Sequence, residues 1–492
     1  MPLPTIPSGN VASATASTGY NVGNSIRFTR NDNSYMSRTF GTPTNRKKFT
    51  ISFWLKRSNI TISGGMALFG SDGGNTSTFG TIHFNPHDDL AIQAANGGSD
   101  ILNLVTDRKF RDIGAWYHIC VIFDTTQSTN TDRVKLYVNG TQETSFSSNT
   151  YPDQNEEFLF NQGSKVHSIG KFPYGADVLS IDGYICEFVF IDGTTTSITD
   201  FGEFDEDSPT IWKAKDVSEL TFGNNGCYLD FADSGDLDDD ESGNGNDFTA
   251  TNVTTQDQCT DTCTNNFAVT NILLQGTDIT YGENNLQINI GTTGQYGTQS
   301  SIGMTAGKFY MEVKYISTTS AGNDRVMLGI TGNPVHLSQQ GAATSTEGYV
   351  GSSQDLTSYG YYFDGNLYHN SGTTSYGDTW TINDIIGIYL DCDNNKLYFS
   401  KNGTVQNSGT GISITDPAST VAGAYFFAFT DTSSYGGGVQ VNFGGASCYT
   451  FSSIVSDANG FGSFEYSPSG TFDSASKDFL ALCTKNLGSD GG

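Results

Sequence analysis

Short runs of alternating apolar and polar residues, separated by turn residues, dominate the first half of the chain. Between residues 21 and 232 the clearest runs are Phe49–Leu55, Trp116–Phe123, Val134–Val138 and Tyr184–Ile191. Asn139-Gly140 follows the third run and Asp192-Gly193 ends the fourth, and such dipeptides favour the tight turns of β-hairpins. No stretch shows a helical period of useful length. The pattern predicts an all-β fold in which two antiparallel sheets pack face to face as a sandwich.

A second β-rich block lies between residues 281 and 446, where the clear runs are Phe309–Val313, Val326–Ile330, Ile385–Leu390 and Lys396–Ser400. Residues 1–20 are rich in Pro, Ser, Thr and Ala and are interpreted as an N-terminal arm. Residues 233–280 are acidic and rich in turn residues, and are predicted to be a linker. Residues 447–492 form a C-terminal tail in which Asp478–Leu487 is interpreted as a short helix. We therefore expect two antiparallel β-sandwich domains with extended terminal segments.

Composition excludes several classes of protein. The 492 residues carry 24 Lys and Arg against 52 Asp and Glu, which gives a formal net charge of -28. With 33 Phe, 24 Tyr and 4 Trp, the chain has the aromatic content of a folded protein rather than a disordered one. Nucleic acid is not an expected partner, because phosphate binding needs clustered Lys and Arg. No run of 18 apolar residues exists, so membrane insertion is not expected either.

The first residues, Met1–Pro7, lack the basic and apolar regions of a signal peptide. The product is therefore expected to stay in the cytoplasm of the cell that makes it until something other than secretion moves it. Eight scattered cysteines in so long a chain do not form a disulfide scaffold. Cys259 and Cys263, four residues apart, would form a small disulfide outside the cell or remain as free thiols.

Basic residues concentrate near the N-terminus. Residues 1–60 hold eight of them and one acid, Asp32: the eight are Arg27, Arg30, Arg38, Arg46, Lys47, Lys48, Lys56 and Arg57. A basic end on an acidic body would dock onto an acidic partner or a neighbouring copy of the chain. The candidate attachment residues are Arg27, Arg30, Arg46, Lys47 and Lys48. The alternative is an ordinary solvated surface of strands and turns.

The acidic segment is the candidate metal site, and calcium is the ion that its carboxylates would take. Asp236, Asp238 and Asp240, with Asp247 at the twelfth place, follow the spacing of an EF-hand loop. The sharp turn of that loop needs Gly at the sixth place, where this chain has Glu241. A solvated acidic loop without a metal ion is the alternative.

Two groups of motifs carry resemblances to known families. The first block, residues 21–232, resembles a LamG-type, concanavalin A-like jelly roll in its segments Phe49–Ser58 (FTISFWLKRS), Trp116–Asp124 (WYHICVIFD), Val134–Gly140 (VKLYVNG) and Ile181–Gly193 (IDGYICEFVFIDG). The second block, residues 281–446, resembles a SPRY domain in Gly307–Val313 (GKFYMEV), Val326–Thr331 (VMLGIT), Tyr359–Asn370 (YGYYFDGNLYHN), Gly377–Trp380 (GDTW) and Asp384–Gly403 (DIIGIYLDCDNNKLYFSKNG). The SPRY resemblance is the more specific, because five motifs occur in the expected order.

The order of the two domains, together with the segments Ser37–Ser58 near the N-terminus and Phe464–Leu487 near the C-terminus, is similar to that of tail-fibre-like virion proteins of marine bacteriophages. The similarity implies a non-enzymatic component of a tail or capsid fibre that attaches the virion to a host-surface glycan or protein. The partners it implies are other virion proteins and identical copies, in a homo-oligomer that is a trimer in phage fibres. Two other functions stay open: a purely structural decoration or fibre-anchoring protein without receptor contact, and a polysaccharide depolymerase.

Candidate chemistry is sparse. Glycoside hydrolysis needs two carboxyl groups facing one cleft, and the nearest string, Glu203–Asp207, has the wrong spacing and lies in a predicted loop. His118 lies in a predicted strand, where the alternation of apolar and polar residues accounts for it without a catalytic role. The sequence contains no Gly-x-Ser-x-Gly nucleophile elbow before a helix. The candidate binding cluster has the aromatic and amide groups that suit sugar recognition, and consists of Tyr361, Tyr362, Phe363, Asp364, Asn366, Tyr368 and His369. The same residues would equally form the core of a hairpin.

Overall fold

The computed structural model describes residues 19–75, 77–172, 180–276, 278–291, 296–318, 326–338, 348–431 and 436–490. Nearly all of the predicted N-terminal arm lies outside the described residues. The chain divides into two compact units between Thr264 and Asn265, here called the first and the second unit. Both are built from β-strands, as the alternating pattern predicts. No helix among the described residues has the length and apolar character needed to cross a membrane.

The first unit is a sandwich of two eight-stranded antiparallel sheets. Its strands are β1 (Ser25–Phe28), β2 (Tyr35–Thr39), β3 (Lys48–Arg57), β4 (Met66–Asn75), β5 (Thr78–Phe84), β6 (Asp89–Asn96), β7 (Ser99–Lys109), β8 (Trp116–Asp124), β9 (Val134–Val138), β10 (Thr141–Gln142), β11 (Phe146–Thr150), β12 (Val166–Ile169), β13 (Gly183–Asp192), β14 (Gly202–Phe204), β15 (Trp212–Ala214), β16 (Cys227–Leu229), β17 (Thr249–Thr251) and β18 (Gln258–Cys259). Sheet 1 has the order β10-β9-β8-β3-β13-β1-β18, with β16 also paired to β13. Sheet 2 has the order β11-β7-β6-β5-β4-β12-β2-β17. The hairpin β14–β15 stands apart from both sheets.

The core of the first unit lies between sheets 1 and 2. Alternate residues of β3 and β5, such as Phe49, Phe53, Ile82 and Phe84, are fully or almost fully buried there. The opposite face of sheet 1 carries a smaller apolar cluster with Phe201 and other residues from the region of β14 to β16. This second cluster explains why β13 is buried along its whole length rather than on one face only.

The second unit is also a sandwich, with a nine-stranded and a six-stranded sheet. Its elements are β19 (Ile279–Gly282), β20 (Gln287–Ile290), β21 (Gly297–Gln299), β22 (Lys308–Thr318), β23 (Val326–Thr331), α1 (Pro334–Ser338), β24 (Ser358–Tyr362), β25 (Asn366–His369), β26 (Gly372–Ser375), β27 (Ile385–Asp391), β28 (Lys396–Lys401), β29 (Thr404–Val405), β30 (Ile412–Ser413), β31 (Phe426–Asp431), β32 (Gly437–Asn442), β33 (Ser469–Phe472), β34 (Ala475–Asp478), β35 (Leu480–Ala481) and α2 (Thr484–Asp490). Sheet 3 has the order β19-β20-β32-β22-β27-β28-β29, with β30 on β28 and β35 on β22. Sheet 4 has the order β21-β31-β23-β24-β25-β26, and β33 pairs with β34.

The segment 233–280, expected to be a linker, is instead built into the two units. Up to Thr264 it belongs to the first unit: β17 pairs with β2, and β18 pairs with β1. Leu237 and Phe248 are buried in the core of the first unit, and burial of these two side chains stabilises the folded form of the acidic stretch. Phe267 and Val269 are buried in the second unit. Sequence composition indicated a linker because the few apolar residues stand alone among many acids and glycines.

The tail is folded onto sheet 3. Phe464, Phe472 and Phe479 are fully buried and pack with tyrosines on the outward face of that sheet. Glu312 of β22 holds the tail by its carboxylate, which accepts backbone N–H groups of Glu465 at 3.0 Å and Tyr466 at 2.7 Å. The tail helix was predicted at the wrong place: it begins at Thr484 rather than at Asp478, because residues 475–481 form two strands.

Candidate functional site

The candidate binding cluster of the second unit lies on the hairpin formed by β24 and β25. Asp364 shapes its turn, because its carboxylate accepts the backbone N–H and the side-chain amide of Asn366, each at 2.9 Å. Gly365 supplies a positive φ of 86° at the same turn. These two polar residues therefore serve the hairpin itself.

The aromatic members of that cluster are largely packed. Tyr361 is fully buried in the second core beside Trp380 and Phe399, and its hydroxyl donates to a backbone carbonyl. Tyr362, 5% exposed, lies on the opposite face of the strand. His369 stacks on Tyr359 with ring centroids 4.2 Å apart. The half-buried rings of Phe363, Tyr368 and His369 are the members that reach solvent.

The acidic segment does not form an EF-hand-like loop. Asp240 is buried, and its carboxylate accepts the backbone N–H groups of Tyr228, Ser242 and Asn246 at 2.8–2.9 Å. Asp247 accepts the N–H of Asp240, and Asp238 accepts that of Ala250. Desolvation and the neighbouring carboxyl group of Asp238 raise the pKa of Asp236. Within the described part of the chain, no group of three or more His, Cys, Asp and Glu is arranged to hold a metal ion.

Most of the candidate attachment residues have partners within the first unit. Arg27 is 3% exposed and pairs with Asp257 at 3.0 Å. Arg46 pairs with Glu157 at 2.9 Å, and Lys48 with Asp124 at 3.4 Å.

Arg30 donates to the backbone carbonyls of Gly65 and Ser180 at 2.9 and 3.1 Å. Of the five, Lys47 alone has an ammonium group with no partner among the described residues. The positive charge counted along the sequence is therefore largely neutralised by acids that come later in the chain.

The Cys259–Cys263 segment is anchored by the aspartate at its centre. Asp261 pairs with Lys56 of β3 at 2.6 Å, both side chains being at most 2% exposed, and accepts the indole N–H of Trp116 at 3.0 Å. Both cysteines are free and buried. The thiol of Cys263 lies against that of Cys186 on β13. The segment is therefore fixed by a buried ion pair.

A serine and a histidine are in hydrogen-bond contact on the outward face of sheet 1, as they are in the catalytic pairs of hydrolases. Ser52 Oγ lies 2.8 Å from His118 Nε2, and the indole N–H of Trp212 donates to His118 Nδ1 at 3.1 Å. Because Nδ1 accepts a hydrogen bond, the single proton of the neutral ring is on Nε2 and points to the serine. Burial lowers the pKa of His118 to about 3, so the ring does not take a second proton at neutral pH. In this orientation His118 donates to Ser52 Oγ and cannot accept its proton, so the histidine does not activate the serine as a nucleophile.

The cavity beside this pair is lined by Trp54, His118, Glu187 and Lys215, among others, and has room for about one water molecule. Glu187 sits at a bulge of β13 with a positive φ of 50°. Burial raises the pKa of its carboxyl group to about 8. The cavity is too small for a sugar ring, and we assign its polar groups to the interior of the fold.

A candidate binding surface that sequence reasoning missed lies at one end of sheet 4. The start and the end of the connection between β23 and β24 meet the loop that precedes β31 at Gly332, whose N–H donates to the carbonyl of Thr357 at 3.1 Å and whose carbonyl accepts from the N–H of Ala422 at 2.9 Å. A Cβ at Gly332 would come within 2.6 Å of side chains of Thr357 and Thr420, so this close approach requires glycine. Asp355 fixes the end of the β23–β24 connection further by accepting the hydroxyl of Thr331 at 2.7 Å.

The two ends of the β23–β24 connection and the loop before β31 each present an exposed apolar side chain. Val335 is 41% exposed, Leu356 59% and Val421 75%, and we call these residues the loop-end surface. Exposed large apolar side chains on neighbouring surface segments are typical of contact sites for other molecules. No sequence signal indicated the surface, because its members lie up to 86 positions apart and in loops with unremarkable composition.

Comparison with known families agrees with the two sandwiches. Residues 23–197 match the family model of the concanavalin A-like lectin/glucanases superfamily, and residues 308–446 match the SPRY domain model. The chain therefore contains a LamG-like, concanavalin A-like domain followed by a SPRY domain, and both folds support a binding role.

Solved structures with similar folds are distant. The SPRY domain of human HERC1 has 18% identity and a TM-score of 0.28, covering 37% of this chain and 99% of its own. A Bacteroides ovatus protein assigned to carbohydrate binding has 14% identity and a TM-score of 0.32, with 48% and 60% coverage. The heptameric SAP-like pentraxin of Limulus polyphemus has 14% identity and a TM-score of 0.27, with 37% and 81% coverage. At such values the likeness says nothing about function.

Proposed function

We propose that this chain is a non-enzymatic binding component of a bacteriophage particle, a tail- or capsid-fibre protein that attaches the virion to a glycan or protein of the host surface. Support for the virion comes from the similarity of Ser37–Ser58 and Phe464–Leu487 to tail-fibre-like proteins of marine phages. Support for binding comes from the concanavalin A-like and SPRY folds.

The observation that carries the binding role is the loop-end surface. Burial of an exposed Leu or Val side chain contributes about 1–2 kcal/mol to association. Leu356 and Val421 are the more exposed members, and their loops are already held by the hydrogen bonds around Gly332. A surface that is ordered before binding loses little conformational entropy when it binds, so even a small apolar contact gives useful affinity.

Identical copies would multiply such a weak contact. We propose a homo-oligomer, a trimer as in phage fibres, which also contacts other virion proteins. Linked copies gain about 10²–10⁴ in avidity without any new contact. The proposed function needs no cofactor, with calcium kept as the one candidate ion, and it involves neither nucleic acid nor membrane insertion.

The two other functions make different demands on the structure. A depolymerase would need a pair of carboxyl groups in a cleft, whereas Asp205 accepts N–H groups of its own turn and pairs with Lys213 at 3.1 Å. A purely structural protein would use the loop-end surface for contacts within the particle. Binding experiments with whole cells separate this function from attachment.

The test is binding of the purified, fluorescently labelled chain to cells of candidate hosts. The double substitution Leu356→Asp and Val421→Asp places charge on the loop-end surface, and we expect at least a tenfold loss of saturable binding. Ile454→Asp is the matched control, because Ile454 is 67% exposed and lies on the tail of the same unit. Equal binding by all variants would refute a role for this surface, and no binding by the folded wild-type chain to any host would refute attachment.

A further inference from the structure

Two buried thiol groups are in contact in the first unit, although 77 positions of sequence separate them. Cys186 of β13 is fully buried, and Cys263, next to the end of the unit, is 6% exposed. The thiol of Cys263 is in hydrogen-bond contact with the thiol of Cys186. Two cysteines that a fold brings this close are candidates for a disulfide bond.

The direction of the Cys186 side chain follows from the register of β13. Ile185 pairs with Ile26, and both side chains lie in the core between sheets 1 and 2. Because side chains alternate between the two faces of a strand, Cys186 points to the outward face of sheet 1. Trp54, which pairs directly with Cys186 on the neighbouring strand β3, lines the small cavity on that same face.

The segment that carries Cys263 lies across β13 on this outward face. In sheet 1, β13 lies between β3 and β1. The carboxylate of Asp261 pairs with Lys56 of β3 at 2.6 Å, and its backbone carbonyl accepts the hydroxyl of Ser25 of β1 at 2.6 Å. Asp261 therefore has contacts on both sides of β13, which hold the segment over that strand.

Cys263 itself lies between two anchored residues. The hydroxyl of Thr262 donates to the carbonyl of Val22 at 3.0 Å. The hydroxyl of Thr264 accepts the N–H of Val22 at 3.1 Å. Because both neighbours of Cys263 are held in the same way, the fold itself defines the position of its thiol against Cys186.

The other cysteine of the segment is engaged elsewhere. Cys259 lies in β18, where it pairs with Ser25 of β1. Its thiol donates to the backbone carbonyl of Asp257 at 3.3 Å. The structure therefore favours Cys186, rather than the sequence neighbour Cys259, as the partner of Cys263.

We propose that Cys186 and Cys263 form a disulfide bond when the protein meets a low-molecular-weight disulfide such as oxidised glutathione. The thiolate of Cys263, the more exposed of the two, attacks one sulfur of the small disulfide, forms a mixed disulfide with it and releases one small thiolate. The thiolate of Cys186 then attacks the sulfur of Cys263 and releases the second small thiolate. The two cysteines lose two electrons and two protons, and the small disulfide is reduced to two thiols.

Burial sets the rate of this reaction. It raises the pKa of the Cys263 thiol well above its usual value, so little thiolate is present while the segment is closed. The bond therefore forms during folding, or slowly in the folded protein when the segment opens. Release from a reducing cytoplasm into an oxidising medium is the natural occasion for it.

The bond would tie the last residues of the first unit to a strand in the middle of sheet 1. It closes a long loop, and cross-links of this kind stabilise a fold mainly by restricting the unfolded chain. The inference goes beyond host attachment and does not rest on it, because neither cysteine belongs to the loop-end surface. Failure of one leaves the other unaffected.

The test is the identity of the linked cysteines in the full chain. The purified protein is refolded from urea with reduced and oxidised glutathione, and the folded protein is treated separately with oxidised glutathione. Remaining thiols are blocked with N-ethylmaleimide, and unreduced digests are analysed by mass spectrometry. We expect a peptide pair joined through Cys186 and Cys263, formed more slowly in the folded protein. The wild-type chain alone decides which pair is linked, so the result does not depend on whether a variant folds.

Variants add a second readout. Cys259→Ala is the matched control and should keep the bond, whereas Cys186→Ala should lose it. Oxidation should raise the melting temperature of the first unit by about 5–10 °C in the wild type and in Cys259→Ala, and leave it unchanged in Cys186→Ala. Tryptophan fluorescence in a Trp380→Phe background reads this unit, where the other three tryptophans lie.

Three results would overturn the proposal. A bond between Cys259 and Cys263 would show that the sequence neighbours pair instead. No bond at Cys186 after refolding with glutathione would show that the two thiols are not placed for one, and so would a glutathione adduct that stays on Cys263. A bond that leaves the melting temperature unchanged would remove its stabilising role.

Discussion

Glu187 gives the first unit a stability that depends on pH. Its carboxyl group is 5% exposed and lies 3.0 Å from the hydroxyl of Tyr228 and 3.3 Å from that of Tyr20. No Lys or Arg among the described residues pairs with it. Burial therefore raises its pKa from 4.5 to about 8, and the folded protein holds the group neutral at neutral pH.

The sign of the effect follows from the raised pKa. Below pH 4.5 the carboxyl group is neutral in both the folded and the unfolded chain, and its contribution to stability is fully present. As the pH rises towards 8, the unfolded chain releases the proton first, so the free energy of unfolding falls. The difference between 4.5 and about 8 corresponds to at most about 5 kcal/mol. Glu187→Gln keeps the size and the acceptor oxygen but cannot ionise, so this part of the pH dependence should disappear.

Tryptophan fluorescence follows the first unit by itself in a Trp380→Phe background, because the other three tryptophans, Trp54, Trp116 and Trp212, all lie in that unit. Urea unfolding between pH 4.5 and 8 should show a loss of several kcal/mol for Glu187 and a much smaller one for Glu187→Gln. Parallel pH profiles for the two proteins would refute the assignment of a neutral, buried carboxyl group.

Three further predictions concern buried polar contacts. Glu312→Gln should weaken the docking of the tail, with a loss of about 2–4 kcal/mol in the second unit and faster proteolysis within residues 447–492; unchanged cleavage would contradict this. Asp261→Asn removes the carboxylate that pairs with the buried ammonium group of Lys56 and should cost the first unit about 3–5 kcal/mol in urea unfolding, and a smaller loss than about 1 kcal/mol would show that the pair is not buried. Tyr361→Phe should cost about 1 kcal/mol and Tyr361→Ala about 3–5 kcal/mol in thermal unfolding, whereas equal values would show that the ring is not in the core.

The fold class was predictable from the sequence because its signals are local. Phe49–Leu55 and Trp116–Phe123 fall within β3 and β8, which pair with each other. The Asn139-Gly140 turn has the positive φ values, 48° and 74°, that its residue types favour. Hydrophobic alternation and turn chemistry act over a few residues, so one sequence suffices to predict them.

Features that depend on distant residues were not predictable. The sequence predicted that Asp240 lies in a metal-binding or solvated loop. Its buried carboxylate instead accepts the backbone N–H groups of Tyr228 and Asn246 and holds these two segments together. Tyr361 was taken as a candidate ligand contact because aromatic residues serve cores and binding sites equally well.

The central claim is that this chain binds a host surface, and whole-cell binding tests it most directly. We predict saturable binding of the folded, oligomeric wild type to at least one host, with at least a tenfold loss in the Leu356→Asp, Val421→Asp variant and none in Ile454→Asp. A folded and oligomeric wild-type protein that binds no host cells would contradict the account and leave a structural role within the particle.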